Sequence, residues 1–269
     1  MKTIRVGTVM MESFVNETSY NMEKMHQFIE IAHTYGVQIL CFPELNISGY
    51  CNRDNILDLA EKVPGPLTDQ LICFANQYHM TILAGLPEKD SSGGNVYITH
   101  LVISPEKKTE CYRKLYLGPP EKKFFSPGYD VPIFHRHGVC FGIQLCYDAH
   151  FPELSTFMAD AGVDVIFMPH ASPHGTSQQK ISSWMRHLPA RAYDNSIFVV
   201  ACNASGKNCV GLTFPGVSMA FDPSGNLLEK IKTDHSLLNM YDLNASDMKY
   251  VRGHEMRYFF PNRRKDITY

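Results

Sequence analysis

Residues 139–168 read VCFGIQLCYDAHFPELSTFMADAGVDVIFM, and this stretch decides the fold. It predicts a strand over Val139 to Leu145, a helix over Pro152 to Ala161 and a second strand over Val163 to Met168. Both strand segments are short and apolar. Strands that alternate with helices imply helices packed on a sheet.

The same alternation extends along the chain on both sides. Further strands are predicted at Ile4 to Met10, Val37 to Phe42, Thr81 to Leu86, Val96 to Ile103, Ile197 to Ala201, Val217 to Phe221 and Leu227 to Ile231. Further helices are predicted at Met22 to Ala32, Leu67 to His79 and Ser177 to Asp194. The sequence DPSGN at 222–226 is typical of a tight hairpin turn. Because the later strands return through hairpins, we expect one α/β domain with a mixed sheet, followed by polar, irregular residues after about 243.

The composition excludes several classes of function. The chain has 269 residues, 44% of them apolar, and a net charge of −2, so it offers no basic surface for nucleic acid or anionic lipid. It has no run of about eighteen apolar residues, and no stretch near Met1 is apolar for long enough to predict a signal peptide. Eight cysteines without such a segment predict free thiols in a soluble, cytoplasmic protein, and no C-x-x-C pair suggests a zinc ribbon.

Three chemically distinct side chains each stand just beyond a predicted strand. Glu44 follows the strand that ends in Phe42 and Pro43, Lys114 follows a strand-like segment from Thr109 to Arg113, and Cys146 follows the strand of the opening stretch. Such loops are where α/β folds build their sites. A partly desolvated Glu44 has its pKa raised toward the range of a general base, and Lys114 supplies positive charge to a developing oxyanion.

Cys146 is the candidate nucleophile among the eight cysteines. The turn from strand into helix exposes its thiol and directs backbone N–H groups, notably that of Tyr147, at a substrate. A helix N-terminus also favours the thiolate, so the sequence predicts a low pKa and selective alkylation of Cys146. Other cysteines lie within strand or helix patterns and are predicted to be small buried hydrophobes: Cys41, Cys73, Cys140 and Cys202.

Five segments, taken in chain order, carry a resemblance to a known family. They are CFPELNISGY (41–50), YRKLYLGPPEKKFFSPG (112–128), GIQLCYDAHFPEL (142–154), RAYDNSIFVVACNASG (191–206) and GVSMAFDPSGNLL (216–228). Together they strongly resemble the signatures of the nitrilase superfamily of carbon–nitrogen hydrolases, in its amidase-like branch. The resemblance covers roughly residues 4 to 232.

This resemblance implies a fold and a set of site residues. The implied fold is a four-layer αββα sandwich of two stacked mixed sheets, usually dimerised. From the residue pattern we expect the domain to span 1–243 and a C-terminal extension at 244–269 to lie at the oligomer interface. The implied triad falls on Glu44, Lys114 and Cys146. A second glutamate of the family matches Glu121 and positions Lys114 and the substrate. The implied chemistry needs no metal and no organic cofactor.

The chain departs from the family pattern next to the nucleophile. Many relatives carry an arginine where this chain has His150, and in hydrolases of N-carbamoyl amino acids that arginine grips the substrate carboxylate. A carboxylate held in that way is therefore less expected here. Relatives that act on nitriles usually have Trp-Glu where this chain has Tyr147 and Asp148, which favours an amidase. Tyr116 stands where the family often has histidine.

The histidines in PHASPHGT (169–176) have two interpretations. His170 and His174 have the spacing of metal ligands on a helix, but Pro169 and Pro173 prevent that helix. The pair is then either the lip of a substrate pocket or two ordinary loop histidines. The candidate substrate contacts are Tyr50, Tyr116, His150 and His170.

The sequence therefore predicts a cysteine-dependent hydrolase of a small amide, working through a thioester and releasing ammonia. An N-carbamoyl amine hydrolase, which also releases carbon dioxide, is the main alternative, and a nitrilase is a further one. A non-catalytic scaffold, the glutaminase part of a synthetase and an acyltransferase are the readings from other classes. The predicted partners are a small-molecule substrate and a second copy of the chain.

Overall fold

The first of two stacked sheets is built from the N-terminal part of the chain and one late strand. The structure is a computed structural model that describes residues 1–51, 56–91, 94–105, 109–264 and 266. The strands are β1 (Ile4–Met10), β2 (Ile39–Cys41), β3 (Glu61–Lys62), β4 (Thr81–Lys89), β5 (Val96–Ile103), β6 (Thr109–Arg113) and β15 (Leu237–Leu243). Their order is β15-β1-β2-β4-β5-β6, with β3 paired to β4. The sheet is mixed, because β1, β2 and β4 are parallel and the outer pairs are antiparallel.

The second sheet contains the opening stretch of sequence. Its strands are β7 (Phe134–Arg136), β8 (Val139–Ile143), β9 (Val165–His170), β10 (Phe198–Asn203), β13 (Gly216–Phe221) and β14 (Leu227–Thr233), in the order β14-β13-β10-β9-β8-β7. A separate short pair consists of β11 (Gly206–Lys207) and β12 (Thr213–Phe214). The central strands β8, β9 and β10 are parallel and buried along their length, as expected of strands covered on both faces.

Helices cover the outer face of each sheet. They are α1 (Thr18–Thr34), α2 (Pro66–Tyr78), α3 (Pro152–Asp160), α4 (Ser177–Trp184), α5 (Leu188–Asn195) and α6 (Ala245–Arg252). Met25 and Ile29 of α1 and Leu71 of α2 share an apolar cluster with Leu40 and Ile82 of the first sheet. Helices α3, α4 and α5 lie against the second sheet. The predicted four-layer αββα sandwich with two stacked mixed sheets is confirmed.

A buried chain of hydroxyl groups joins the two sheets. The Thr8 Oγ1 lies 2.6 Å from the Ser218 Oγ, and that oxygen lies 2.6 Å from the Tyr241 hydroxyl oxygen. These residues belong to β1, β13 and β15, and all three are buried. A buried hydroxyl without a hydrogen-bond partner is costly. These three hydroxyl groups therefore favour one alignment of the two sheets within an otherwise apolar interface.

Strand β15 was not predicted, and two helical parts of the structure also differ from the prediction. The helix predicted over Ser177 to Asp194 is two helices, since Pro189, which lacks an amide hydrogen, stands at the start of α5. The residues after 243 are not all irregular, because α6 buries Met248 and Val251 at helical spacing. The Arg252 guanidinium donates to the Val163 carbonyl at 2.9 Å and pairs with the Asp164 carboxylate at 3.3 Å, which fixes α6 to the second sheet.

The predicted burial of the cysteines is wrong at one position. Cys41, Cys140 and Cys202 are buried in strands, but Cys73 is exposed on α2. Helix α2 buries one stripe, including Leu71 and Ala75, and Cys73 lies outside that stripe. Within the described ranges, none of the helices is both long enough and apolar enough to cross a membrane.

Candidate active site

The candidate site lies where loops from the two sheets meet. Glu44 follows β2 and Lys114 follows β6, both in the first sheet, whereas Cys146 follows β8 in the second. The Lys114 amide donates to the Ile98 carbonyl at 2.9 Å, which holds this residue against β5. The stacking of the sheets thus brings together side chains that are far apart in the sequence.

A buried ammonium group is the centre of the site. The Lys114 Nζ donates to the Glu44 Oε1 and to the Glu121 Oε1, each at 2.8 Å. All three side chains are almost fully buried. A buried charge is tolerated only when it is paired and hydrogen-bonded, and here two carboxylates flank one ammonium. The structure therefore brings together three of the residues predicted from the sequence.

Backbone amides fix the second oxygen of each carboxylate. The Ala171 N–H donates to the Glu44 Oε2 at 3.2 Å, and the Gly118 N–H donates to the Glu121 Oε2 at 2.7 Å. The Tyr50 hydroxyl donates to the Glu121 Oε1 at 3.3 Å. Tyr50, a predicted substrate contact, thus lies beside Glu121. Both carboxylates are oriented before any substrate binds.

Burial and neighbouring charges shift the pKa values of these groups. Burial raises the pKa of Glu44 to about 7, against the opposing effect of the Lys114 charge. Burial alone lowers the pKa of Lys114, but the Glu44 and Glu121 charges outweigh it and the net pKa lies well above the usual value. Lys114 is therefore a cation at neutral pH, while Glu44 is poised to accept and release a proton.

Cys146 occupies a strained turn beside this cluster. Its φ of 46° is left-handed, a conformation that costs a residue other than glycine about 1–3 kcal/mol. It begins a short 3₁₀ helix, Cys146–His150, and its side chain is half-buried. Backbone strain at a residue facing a charged cluster is typical of a functional site, because the surrounding structure must enforce it.

The thiol of Cys146 is protonated at neutral pH. Burial, followed by the Glu44 charge, raises its pKa to about 12, although the Lys114 charge acts in the opposite direction. The predicted low pKa is therefore wrong, since a five-residue turn does not offset burial and a nearby carboxylate. A thiol in this state needs a base to remove its proton, and Glu44 is the acidic residue with the largest effect on it.

Asp148 has a structural role in the site that the sequence did not indicate. The Tyr112 hydroxyl and the Leu145 N–H donate to its Oδ2 at 2.8 and 2.9 Å, and the Tyr116 N–H donates to its Oδ1 at 2.8 Å. The carboxyl group is fully buried. It ties the Cys146 turn to β6 and to the loop after Lys114. Its partners other than Leu145 lie more than thirty residues away in the chain, so no local pattern indicates them.

We expect Asp148→Ala to lower the free energy of unfolding by about 3 kcal/mol or more, because each of three stranded buried donors costs about 1–3 kcal/mol. Chemical denaturation of the purified protein measures this loss. Asp130→Ala is the matched control, since Asp130 is exposed in a loop, and it should leave the unfolding midpoint unchanged. Equal midpoints for the two variants would contradict the assigned role of Asp148.

A second unpredicted residue supports the turn from α5. The Arg191 guanidinium is nearly buried and donates to the Ala149 and His150 carbonyls, each at 3.3 Å. The sequence placed Arg191 in a family-like segment without giving it a role. Its position shows that α5 braces the Cys146 turn from the outer side of the second sheet.

The remaining predicted substrate contacts differ in their surroundings. His150 is exposed, and its ring packs against Tyr147 and His187 with centroid distances of 5.6 and 4.8 Å. Partial burial against its neighbours and the nearby Arg191 charge lower the pKa of His150, so it is neutral at pH 7. The ring of Tyr116 stacks on Phe151 at 3.8 Å, next to the nucleophile turn.

The two histidines of the 169–176 segment lie in different environments. His170 is buried, its Nδ1 lies 2.8 Å from the Met168 carbonyl oxygen, and its ring packs on Trp184. His174 is exposed. Burial lowers the pKa of His170 well below its usual value, so this side chain is neutral. In the part of the chain that the structure describes, no three His, Cys, Asp or Glu side chains form a group that could hold a metal ion.

Known proteins share this fold and the sequence pattern. The sequence model of the Carbon-nitrogen hydrolase family matches residues 5–252. An (R)-stereoselective amidase from Pseudomonas sp is 28% identical over 93% of this chain and 88% of its own length. A nitrilase from Pyrococcus abyssi is 28% identical over 99% of each chain.

A solved structure has a fold similar to that of this chain. It is a mutant of the amidase from Nesterenkonia sp. AN1 that shows covalent addition of the acetamide moiety of fluoroacetamide at the active site cysteine. It matches with a TM-score of 0.81 and 24% identity, covering 94% of this chain and 95% of that chain. Since the family pattern spans nearly all of the two-sheet fold, the resemblance seen in the sequence is confirmed, and the chain belongs to the carbon-nitrogen hydrolase family.

Proposed function

We propose that this protein hydrolyses the carbon–nitrogen bond of a small amide through a thioester on Cys146 and releases ammonia. The observation that carries this proposal is the pairing of Lys114 with Glu44 and Glu121 at 2.8 Å beside a protonated thiol. Glu44 is the general base, Lys114 and the Tyr147 N–H stabilise the oxyanion, and Glu121 positions Lys114.

The first half of the reaction forms the thioester. Glu44 takes the proton from the Cys146 thiol while the sulfur attacks the amide carbon. Negative charge then develops on the amide oxygen, where Lys114 and the Tyr147 N–H each contribute about 3 kcal/mol of stabilisation. Glu44 returns its proton to the nitrogen, the carbon–nitrogen bond breaks, and ammonia leaves.

The second half of the reaction hydrolyses the thioester. Glu44 takes a proton from a water molecule, whose oxygen attacks the thioester carbon, and the carbon–sulfur bond breaks as the thiol regains its proton. The net reaction converts one amide and one water into a carboxylic acid and ammonia. A pKa of about 7 suits Glu44 to both halves, because it accepts and releases a proton in each.

The relatives support an amidase and leave a nitrilase as an alternative. The Pseudomonas relative is named an amidase, and the Nesterenkonia amidase carries its acetamide adduct on a cysteine. The Pyrococcus relative, which is as similar in sequence to this chain as the Pseudomonas amidase is, is named a nitrilase. Hydrolysis of an N-carbamoyl amine or of a nitrile would use the same base, cation and thiol. The homodimer, the cytoplasmic location and the interface role of residues 244–269 stay predictions.

Parallel assays of amides, N-carbamoyl amines and nitriles test the proposal. We expect ammonia without carbon dioxide from short amides, and a mass increase on the peptide containing Cys146 that equals the acyl group. Release of both gases would assign the carbamoyl alternative, and turnover restricted to nitriles would assign a nitrilase. If none of the three substrate classes gave ammonia or an adduct, the proposal would be contradicted.

A further inference from the structure

Lys180 is a cation that lacks a carboxylate partner. It lies on α4, its side chain is half-buried, and its Nζ donates to the Ser172 Oγ at 2.5 Å. Among the residues that the structure describes, no carboxylate lies within ion-pair distance of it. Surface lysines usually extend their ammonium groups into water, whereas this one is held against a loop of the protein.

The loop that holds Lys180 also holds the proposed base. Ser172 follows Ala171, whose N–H donates to Glu44. Two hydrogen bonds to buried Asn203 fix Ser172, from its N–H to the Asn203 Oδ1 at 2.8 Å and from the Asn203 Nδ2 to its carbonyl at 3.1 Å. The ammonium of Lys180 is therefore anchored one residue away from a direct contact of the site.

The charge of Lys180 affects the pKa values of residues around Cys146. It acts to lower the pKa of the Cys146 thiol, against the larger effect of burial, and it contributes to the lowered pKa values of His150 and His170. These three residues come from the turn after β8 and from the end of β9. The ammonium therefore lies within electrostatic range of the thiol that the substrate must approach.

The other basic groups near the thiol are paired with carboxylates, hydrogen-bonded to the backbone, or neutral. Lys114 is neutralised by two carboxylates, and Arg191 is committed to two backbone carbonyls. His150 and His187 are neutral, because burial lowers the pKa of each. Lys180 thus carries an unmatched positive charge in a partly desolvated position. An anion at this place would complete the pairing that the protein leaves open.

We propose that Lys180 binds an anionic group, such as a carboxylate, on the substrate whose amide carbon Cys146 attacks. This inference rests on the proposed amide hydrolysis and names its substrate class, an amide that also bears a negative charge. The sequence argued against a carboxylate because His150 replaces the arginine next to the nucleophile. In the structure, the charge comes instead from a different element, α4.

Two matched pairs of substrates test the inference. Succinamate and glutaramate carry a carboxylate where butyramide and valeramide carry a methyl group. We expect wild-type kcat/KM to favour the charged member of at least one pair by tenfold or more. Lys180→Met should reduce that preference at least tenfold by raising KM for the charged amide, and Lys180→Arg should retain most of it. Lys249→Met, which removes an exposed lysine on α6, should leave the preference unchanged.

The outcomes separate this inference from the proposed function. Equal loss on charged and neutral amides in Lys180→Met, carried by kcat, would overturn it and assign Lys180 to the state of the thiol. A wild-type enzyme that hydrolyses only neutral amides would also overturn it, while leaving amide hydrolysis intact. Absence of turnover with every amide would overturn both.

Discussion

Cys146→Ala is expected to abolish turnover, with a fall in kcat of about 10⁶-fold, the loss typical of removing a covalent nucleophile. Without the sulfur no thioester forms, so the remaining site can only bind and polarise the amide. Ammonia release under single-turnover and steady-state conditions measures the loss. Intact-mass spectrometry should show an acyl adduct on the wild-type protein and none on the variant.

The matched control is Cys73→Ala, because Cys73 is an exposed thiol on α2, and this variant should retain wild-type kcat. Simple alkylation at neutral pH is a poor test of Cys146. Its raised pKa leaves little thiolate, so exposed Cys73 and Cys209 should react first. Turnover of Cys146→Ala within about a hundredfold of the wild type would contradict the thioester mechanism.

Local sequence patterns were sufficient to predict that the candidate site residues lie just beyond strands, and the family resemblance then singled out these residues. Glu44, Lys114 and Cys146 each follow a short apolar run, and a side chain just beyond a strand lies at the edge of a sheet whatever the rest of the fold does. The DPSGN turn is similarly local, since the Asp222 side chain accepts from the Ser224 and Asn226 amides within the same loop. Strands β13 and β14 pair across it as predicted.

Contacts between distant segments could not be read from the residues alone. Strand β15 pairs with β1, with Ile4 opposite Leu243, although nothing near either segment indicates the other. The Ala171 N–H donates to Glu44 although the two residues are 127 positions apart in the chain. This contact depends on how the two sheets stack, which no local pattern indicates. In the sequence, Lys180 does not differ from the other polar residues of α4. Its hydrogen bond to Ser172 in the folded chain shows where its ammonium group lies.

The prediction of a low pKa for Cys146 was wrong for a related physical reason. The sequence suggested a helix N-terminus beside the thiol, which favours negative charge. The folded chain adds two larger effects, burial of the thiol and the nearby Glu44 carboxylate, and both favour the neutral form. Burial cannot be assigned to one cysteine from a strand pattern, because it depends on what the other sheet places over it.

Glu44→Gln is expected to lower kcat by about 10²–10⁴-fold, the usual contribution of a general acid–base group. Glutamine retains the size of the side chain but cannot accept the thiol proton. In the wild type, a pKa of about 7 means that Glu44 is increasingly protonated as the pH falls below 7, so kcat/KM should decline on the acid side. The residual activity of the variant should lack this decline.

Two comparisons separate loss of the base from loss of structure. The glutamine offers one oxygen to two donors, Lys114 and the Ala171 N–H, so about 1–3 kcal/mol of stability should also be lost. Thermal unfolding measures that part, and Glu229→Gln, an exposed change on β14, should alter neither stability nor kcat. A variant that keeps wild-type kcat, or keeps the acid-side decline at reduced kcat, would assign the proton transfer to a group other than Glu44. A folded variant without the decline would tie the proton transfer to the carboxylate that Lys114 holds in place.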